Sequence, residues 1–181
     1  MISISIADEL KHIWPDIALA CIEADVQVKE DNPELWKSII QRCNQIKKEI
    51  VFKQISRLPN NKEARAAYRK FGKDPTRYRL SSESLLRRIL KNKQINPINN
   101  IVDINNLLSL VFFESVGSYD TEKIVSPVTF RKGEKDEEYI GIGRGSLNIE
   151  NLPVLSDMDG PFGSATSDSE RTMVTMRTKK I

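Results

Sequence analysis

Glycines and side-chain oxygens recur together in several short segments of the second half of the chain. These segments are Val102–Asn106, Val116–Asp120, Gly141–Gly145, Asp159–Ser164 and Thr166–Thr172. Glycine lets a backbone approach a ligand closely or adopt a positive φ, and neighbouring Asp, Asn and Ser side chains can bind polar groups. So many segments of this type in one small protein predict the rim of a ligand pocket.

The pocket residues that we predict come from these segments and are glycines or polar residues. They are Asp103, Asn106, Gly117, Ser118, Asp159, Gly160, Gly163, Ser164 and Arg171. Arg171 lies among Ser, Asp, Thr and Glu residues, which suits either a bidentate contact with a carboxylate or phosphate, or an ion pair with Asp168 or Glu170. The sequence assigns no catalytic residue.

Each of these residues also has a purely structural interpretation, which the sequence leaves open. Asp103 is placed to cap a helix. Asp120 and Asp168 lie in turn contexts, where side chains commonly bond to the backbone. Gly160 and Gly163 fit turns that need glycine for their geometry alone.

Positive charge is concentrated in the middle of the chain. Residues Lys62–Lys93 carry 11 Lys or Arg against 3 Asp or Glu, a net charge of +8, whereas the remaining residues carry 17 basic against 22 acidic side chains, a net charge of −5. Tyr68, Phe71 and Tyr78 lie among the basic residues, and aromatic rings of this kind can stack on unpaired bases. The asymmetry predicts a phosphate-facing surface, with a solvated charged face as the alternative. The RNA-binding residues that we predict are Arg77, Arg79, Arg87, Arg88 and Lys91.

Length and composition limit the remaining classes of protein. The 181 residues, with 39% hydrophobic and 29% charged side chains, fit one globular domain, and we predict a single domain over residues 1–181. No apolar run approaches the roughly 20 residues that span a bilayer, and the N-terminus lacks a signal-peptide pattern, so we expect no membrane partner. Cys21, Cys43 and the single His12 predict a reducing cytoplasm, no metal and no cofactor. A disulfide between the two cysteines stays open at this point.

The apolar patterns predict an α+β fold with helices mainly in the first two-thirds. Helices are expected after the Asn32 cap, through Ala64 to Phe71 with a terminal Gly72, after Ser81 or Ser82, and over Ile104–Phe113 with Asp103 as the cap. Strands are expected at Met1–Ile6, at Ile17–Ile22 continuing to Val28 as a largely buried strand, and at Val128–Arg131, Glu138–Ile142, Val154–Leu155 and Thr172–Met176.

Three of the polar segments resemble motifs of a known family. Asp103–Asn106 is similar to an Asp-Val-Thr-Asn helix start, and Val116–Asp120 with Lys123-Ile124 resembles Pro-x-His-Ala-Phe-Asp-x-x-Lys-Ile. Asp159–Ser164 falls where the family has a glycine-rich pocket loop. The chain therefore resembles the B-three/four domain, the tRNA-editing domain of the phenylalanyl-tRNA synthetase beta chain. Ala64–Tyr68 and Lys73–Glu83 look like its free-standing relatives.

The resemblance implies a compact β-sandwich-like core of unusual topology with packed helices, and hydrolysis of the ester that joins a wrong amino acid to tRNA. Editing of this kind removes amino acids whose side chains differ so little from the correct one that binding alone discriminates them poorly. Such a site must bind the ester, orient a water and stabilise the oxyanion, and the backbone N–H groups of a Gly160–Ser164 loop suit the last task.

Two departures from the family pattern bear on this activity. Gly117 stands where synthetase modules have a histidine, and the family's pocket glutamate falls at or beyond Ile181, which favours a shortened sheet open to completion by another chain. The preferred hypothesis is a phenylalanyl-tRNA synthetase beta-like, RNA-binding module for an amino acid or the aminoacyl end of tRNA, with trans-editing hydrolysis as its candidate activity. The alternative is a non-catalytic small-molecule or protein-binding domain that keeps the fold without the chemistry.

Overall fold

The computed structural model describes residues 2–181, and these residues form two small sheets packed with helices. Helices α1 to α5 span Asp8–Ile13, Pro33–Glu49, Pro59–Lys70, Ser81–Leu90 and Asn100–Phe112. Short 3₁₀ helices span Phe52–Arg57, Thr121–Lys123 and Glu170–Thr172. Strands β1 to β6 span Ile4–Ile6, Val128–Lys132, Glu138–Gly141, Gly145–Asn148, Pro153–Asp157 and Gly160–Ser164.

The predicted α+β class is confirmed, with all five α-helices of the described residues preceding β2. The main sheet has the strand order β1-β2-β5-β6, in which β1 runs parallel to β2 and the other pairs are antiparallel. The hairpin β3-β4 forms the second sheet. It is fastened to the first sheet by Tyr139 in β3, whose hydroxyl donates to Ser164 Oγ in β6 at 3.2 Å.

Two apolar cores hold the helices. The first lies between the sheets, α1 and α3, and the second is formed by α2, α4, α5 and the 3₁₀ helix at Phe52–Arg57. The first contains Leu10, Ala64, Ala67, Tyr68, Phe71, Leu80, Phe130, Tyr139, Ile149, Leu152 and Val154. The second contains Ile46, Ile55, Leu86, Ile89 and Leu110. The alternation of buried Val128 and Phe130 along β2 follows from the period of two in a strand with one inward face.

Several local signals act as the sequence predicts. Asn32 caps α2 by accepting from the Leu35 N–H at 3.1 Å, and Pro33 occupies the first helical position. Gly72 follows the end of α3 with φ +75°, and the next N–H, from Lys73, donates back to a carbonyl in the last turn.

Two predicted strands are wrong. Residues 17–24 form no strand; residues 18–22 are exposed, and pairing is limited to a single bridge between Asp25 and Lys180. At Thr172–Met176, Thr172 ends a 3₁₀ helix and Met173 makes a single bridge with Tyr119. In both cases an apolar run lacks a neighbouring strand with which to form a ladder, so its composition alone does not produce a strand.

Two predicted helix starts are also wrong. The N-cap of α4 is Leu80, with no side-chain cap, and Ser82 is buried with its hydroxyl 3.4 Å from Ser115 Oγ. The N-cap of α5 is Asn99, which accepts from the Val102 N–H at 3.0 Å. Asp103 lies inside the first turn of that helix, and its carboxylate accepts from Trp36 Nε1 on α2.

The glycine-rich segment Gly160–Ser164 is a strand and not the predicted loop. It forms β6, which pairs with β5 through a register shift at Leu155/Ser156. The Gly141–Gly145 turn is confirmed as the connection of β3 to β4, with Gly143 at φ +64°. Cys21 and Cys43 are free thiols. Over residues 2–181, no helix has both the length and the apolar character that crossing a membrane needs.

Candidate active site

Five residues from three segments meet around one carboxylate, and we call them the Asp168 cluster: Gly117, Tyr119, Gly163, Ser164 and Asp168. The Oδ1 atom of Asp168 accepts from the Tyr119 hydroxyl at 2.8 Å and from the Ser164 N–H at 3.2 Å. Gly117 and Tyr119 lie in the segment that follows α5. Gly163 and Ser164 are the last two residues of β6, and Asp168 lies in the loop that follows this strand. Elements far apart in sequence therefore build this site.

Side-chain-to-backbone bonds fix the loop that carries Asp168. Ser164 Oγ donates to the Ser167 carbonyl at 2.8 Å and accepts from the N–H groups of Thr166 and Ser167 at 3.3 and 3.2 Å. Tyr139 of the hairpin donates to the same carbonyl. A serine at the end of a strand thus closes a compact turn, as its hydroxyl does in many short loops.

The two glycines of the cluster are needed for the close approach of Tyr119. A Cβ atom added at Gly117 would lie 2.8 Å from Tyr119 Oη, and one at Gly163 would overlap the same hydroxyl. The Tyr119 ring also packs edge-on against Phe162, with ring centroids 5.0 Å apart and an interplanar angle of 82°. The glycines therefore let the phenol reach Asp168.

The electrostatics of the cluster favour proton chemistry at Asp168. Burial raises the pKa of Asp168 to about 6, although the bonds from Tyr119 and Ser164 act to lower it. Burial also raises the pKa of Tyr119 well above its usual value, with the Asp168 charge adding to the effect, and burial raises that of Tyr139. Both phenols stay protonated at neutral pH, whereas Asp168 is mostly ionised but close to its titration range.

The second oxygen of Asp168 has a different environment from the first. Gly117 is exposed, and a Cβ atom added there would lie 3.4 Å from Asp168 Oδ2. Within residues 2–181, Oδ2 has no hydrogen-bond partner, and it is not among the buried unpaired atoms, which are Asn61 Oδ1, Arg79 Nε and Thr172 Oγ1. This oxygen is therefore open to solvent on the Gly117 side.

A neighbouring acidic groove of about 540 Å³ contains two of the predicted pocket residues, Asp159 and Arg171. It is lined by Glu138, Tyr139, Ile140, Asp159, Pro161, Ser169, Glu170 and Arg171. Glu138, Asp159 and Glu170 are exposed, which makes its wall negative. Tyr139 connects this groove to the Asp168 cluster through its bond to Ser164.

Arg171 is held by the protein itself. Its guanidinium donates to both oxygens of Asp157, at 2.7 and 3.1 Å, and to the carbonyls of Gly160 and Lys123. Burial acts to raise the pKa of Asp157, but the Arg171 bonds and the Val125 N–H outweigh it and lower that pKa. The ion pair of Arg171 is therefore with Asp157, and not with Asp168 or Glu170 as the second interpretation of the sequence had it.

The predicted pocket residues on α5 lie elsewhere. Asp103 is fully buried and accepts from Trp36 Nε1 at 2.7 Å and from the Ile98 N–H at 3.3 Å. Ser118 and Asn105 exchange two hydrogen bonds of 2.9 and 3.0 Å, and Asn106 is partly buried. Of the nine predicted residues, the structure brings Gly117, Gly163 and Ser164 into the Asp168 cluster, and Asp159 and Arg171 to the acidic groove. Gly160 does not line the groove, but its carbonyl accepts from Arg171. Ser118 adjoins the cluster in sequence.

The predicted RNA-binding side chains differ in their freedom. Arg87 pairs with buried Glu83 at 2.8 Å, and Arg79 is partly buried. Arg77, Arg88 and Lys91 are exposed; Arg88 donates to the Gln94 carbonyl, and Lys91 lies 5.3 Å from the centre of the Phe52 ring.

The aromatic residues of the basic segment differ in how far they are exposed. Tyr68 and Phe71 are 2% and 5% exposed and belong to the first core, so neither is available to stack on a base. Tyr78 is partly buried, with Lys73 Nζ 4.7 Å from its ring centre.

The sequence analysis missed the two central groups of the site, Tyr119 and the free oxygen of Asp168. Tyr119 had a usable signal, because it stands between Gly117-Ser118 and Asp120 in a motif that was already singled out. Asp168 lies in the Thr166–Thr172 segment, which was also singled out, but nothing local pairs it with Tyr119, because their contact spans 49 positions of sequence.

Comparisons with known proteins give a family match over the second part of the chain and partial matches to individual relatives. The family described as the B3/4 domain matches residues 63–181. The phenylalanine–tRNA ligase beta subunit of Carboxydothermus hydrogenoformans is 35% identical over 80 residues, which is 42% of this chain and 10% of that protein. That of Fusobacterium nucleatum is 30% identical over 90 residues, 48% of this chain and 11% of that protein.

A solved structure is also similar. It is an N-terminal fragment of the phenylalanyl-tRNA synthetase beta subunit from Pyrococcus horikoshii, with a TM-score of 0.44 and 17% identity, covering 99% of this chain and 41% of that one. The chain spans about a tenth of the length of the curated relatives it matches.

Proposed function

Because the chain belongs to the B3/4 domain family, we propose that it binds the aminoacyl end of tRNA and hydrolyses the ester of a mischarged amino acid in the cytoplasm. The observation that carries the proposal is the Asp168 cluster. There the segment after α5, the end of β6 and the following loop converge on a carboxylate with one oxygen open to solvent beside Gly117. These are three of the segments that the polar and glycine pattern singles out.

The chemistry that such a site must perform is modest. An aminoacyl ester is already activated, so hydrolysis needs a positioned ester, a positioned water and donors for the oxyanion. The exposed backbone at Gly117 allows a reacting group to come close to the cluster. The hydroxyls and backbone groups around Ser164 support this arrangement, because their mutual bonds fix the loop before any substrate arrives.

The tRNA backbone is expected on the helical side, at the exposed Arg77, Arg88 and Lys91. The acidic groove supports this orientation, because its exposed carboxylates repel phosphate from that part of the surface. We also propose that residues 1–181 act as one domain, since β1 joins the main sheet beside β2 and α2 packs with α5 in the second core.

The experiment that tests the proposal is release of amino acid from a panel of charged tRNAs by the purified protein. Mischarged tyrosine on phenylalanine tRNA leads the panel, and correctly charged phenylalanine tRNA is the matched specificity control. Selective release of one mischarged amino acid, above the rate of spontaneous hydrolysis, is the expected result.

No release from any tRNA by a folded protein would contradict the hydrolytic part of the proposal. Binding of uncharged tRNA or of free amino acids, measured by calorimetry, would then distinguish a binding domain that keeps the fold from one with another ligand. A tRNA complex is expected to weaken steeply with salt, whereas an amino-acid complex is expected to change little.

A further inference from the structure

The two oxygens of Asp168 differ in their hydrogen-bond partners. Oδ1 is anchored by Tyr119 and by the Ser164 N–H, so the orientation of the carboxylate is fixed. Oδ2 has no partner within residues 2–181. Holding the loop uses Oδ1 alone, so Oδ2 stays free to accept a hydrogen bond from solvent or from a bound ligand.

The direction in which Oδ2 is open is set by Gly117. A Cβ atom at position 117 would lie 3.4 Å from Oδ2, so the Gly117 backbone borders this oxygen. Gly117 has no side chain there, and its backbone is exposed. A water molecule from solvent can therefore reach Oδ2 beside the Gly117 backbone.

We propose that Asp168 is the general base of ester hydrolysis in this protein, with Oδ2 accepting a proton from a water molecule beside Gly117. Tyr119 and Ser164 are positioning residues that aim the carboxylate through Oδ1. The inference rests on the proposed function, since it names the group that activates water in that reaction.

The step is balanced without any further reactant. The water gives one proton to Asp168 Oδ2 while its oxygen bonds to the ester carbonyl carbon, which forms a tetrahedral oxyanion. The oxyanion collapses and breaks the bond to the ribose oxygen. Asp168 returns its proton to that oxygen, so that a free amino acid and a tRNA hydroxyl leave and the carboxylate is restored.

The titratable groups around the cluster suit this assignment. The Tyr119 and Tyr139 phenols face Asp168 and keep their protons, because burial raises the pKa of both. The Cys21 thiol lies near enough to Tyr119 to contribute to the same shift. Because both phenols keep their protons, neither accepts a proton from water at neutral pH. Asp168, with a pKa of about 6, is both ionised and basic enough for the task.

The test compares kcat and KM of the native protein with those of Asp168→Asn on the mischarged tRNA that the native protein hydrolyses. Asparagine keeps an Oδ1 acceptor for Tyr119 and Ser164, so the melting temperature is expected to be no lower than native. We expect kcat to fall at least 100-fold with KM unchanged within about twofold. Asp136→Asn, an exposed carboxylate in a turn of the β region, is the matched control with native kcat.

A pH profile and a second variant give independent readouts. The native kcat is expected to fall below a pH of about 6, and this limb should be absent from the residual activity of Asp168→Asn. Gly117→Ala keeps Asp168 but adds a Cβ 2.8 Å from Tyr119 Oη and 3.4 Å from Oδ2, so it disturbs the contact that aims the carboxylate, and it is expected to lower kcat at least tenfold.

Three outcomes separate the possible failures. Native kcat in Asp168→Asn, or in Gly117→Ala, would overturn the inference while the proposed function stands. A raised KM with unchanged kcat would also overturn it, because Oδ2 would then bind the substrate and not the water. Absence of hydrolysis by the native protein would overturn the proposed function and the inference with it.

Discussion

The helical region and the β region each contain a carboxylate that is shielded from water, but the two carboxylates have different hydrogen-bond partners. Glu83 in α4 is 1% exposed and accepts from two guanidinium groups, those of Arg65 at 3.1 Å and Arg87 at 2.8 Å. Among residues 2–181, Asp168 accepts hydrogen bonds only from a phenol and a backbone N–H, both on one oxygen. A charge that is neutralised on all sides stabilises a helix pair, whereas a charge with neutral donors and one open oxygen stays reactive.

The same contrast extends to the surfaces of the two regions. Residues 62–93 carry a net charge of +8, whereas residues 134–170 contain 9 Asp or Glu against 2 Lys or Arg, a net charge of −7. Such separation makes the helical region the more attractive of the two for phosphate. The two proposals therefore depend on different regions, tRNA binding on the helices and proton transfer on the β region.

The largest expected effect is on the buried ion pair of the helical region. Glu83→Gln leaves Arg65 and Arg87 without their anion, and we expect the free energy of unfolding to fall by about 3 kcal/mol. Urea denaturation measures it. Glu63→Gln, an exposed glutamate on α3, is the control and should change stability by less than about 0.5 kcal/mol. Equal changes in the free energy of unfolding of the two variants would contradict a stabilising role for the buried Glu83 ion pairs.

The next effect concerns the basic surface. Reversing two exposed charges with Arg88→Glu and Lys91→Glu is expected to weaken tRNA binding at least tenfold, about 1.4 kcal/mol. It should also reduce the slope of log affinity against log salt by about 2. Arg87 is left in place because it holds Glu83.

The matched control for this pair is Lys135→Glu with Arg144→Glu, two exposed residues of the β region that undergo the same change in charge. Affinities from filter binding at three salt concentrations measure both pairs. If both double variants bind tRNA equally well, the basic segment is only a solvated face.

A smaller change in the free energy of unfolding, opposite in sign to that of Glu83→Gln, is expected when Asp168 is replaced. Its pKa is raised to about 6 in the folded protein from an ordinary value of 3.8, so the folded state binds more protons between these values and stability falls as pH rises through them. Asp168→Asn removes this cost, and at pH 7 it should be more stable than native by about 1–2 kcal/mol, allowing for solvent screening.

The pH dependence distinguishes this effect from a change in packing. The advantage of Asp168→Asn should decline as pH falls from 6 and disappear near pH 4, as measured by urea denaturation at several pH values. An advantage that is the same at pH 4 and pH 7 would show that the ionised carboxylate is not its cause. Glu83→Gln and Asp168→Asn should thus move stability in opposite directions at neutral pH.

The smallest effect is expected from Tyr119→Phe. The Tyr119 bond lowers the pKa of Asp168, so its loss should raise that pKa and move the acid limb of kcat upward by less than one pH unit. Stability should fall by about 1 kcal/mol for the lost hydrogen bond. Tyr78→Phe, whose ring lies outside the cluster, is the control. An unmoved limb would mean that Asp168 does not set it.

Much of the architecture was predictable because it depends on local signals. The α+β class, the helix after Asn32, the end of α3 at Gly72 and strands β2, β3 and β5 follow from periodicity, caps and turns that act within a few residues. The family resemblance was confirmed for the same reason, since its motifs are short and contiguous. The wrong strands at residues 17–28 and 172–176 have the right composition but no adjacent strand.

The position of polar residues relative to one another was not predictable in this way. Asp103 and Asp168 look alike in sequence, as acids beside small polar residues, yet one is bonded to Trp36 between α2 and α5 and the other meets Tyr119. Arg171 was expected to bind an acid, and the acid proved to be Asp157 on the neighbouring strand. Only the packing of elements distant in sequence selects these partners.

The sequence by itself determined the class of the fold, the family, the concentration of positive charge and the segments that contain the candidate site, because each depends on composition or on short-range pattern. The tertiary structure decided which carboxylate is neutralised and which keeps an open oxygen. That choice depends on which donors reach each acid across 18 residues at Glu83 and Arg65, and across 49 at Asp168 and Tyr119. Desolvation and hydrogen bonding act through space, so the chemistry of an acidic residue is fixed only when the chain is folded around it.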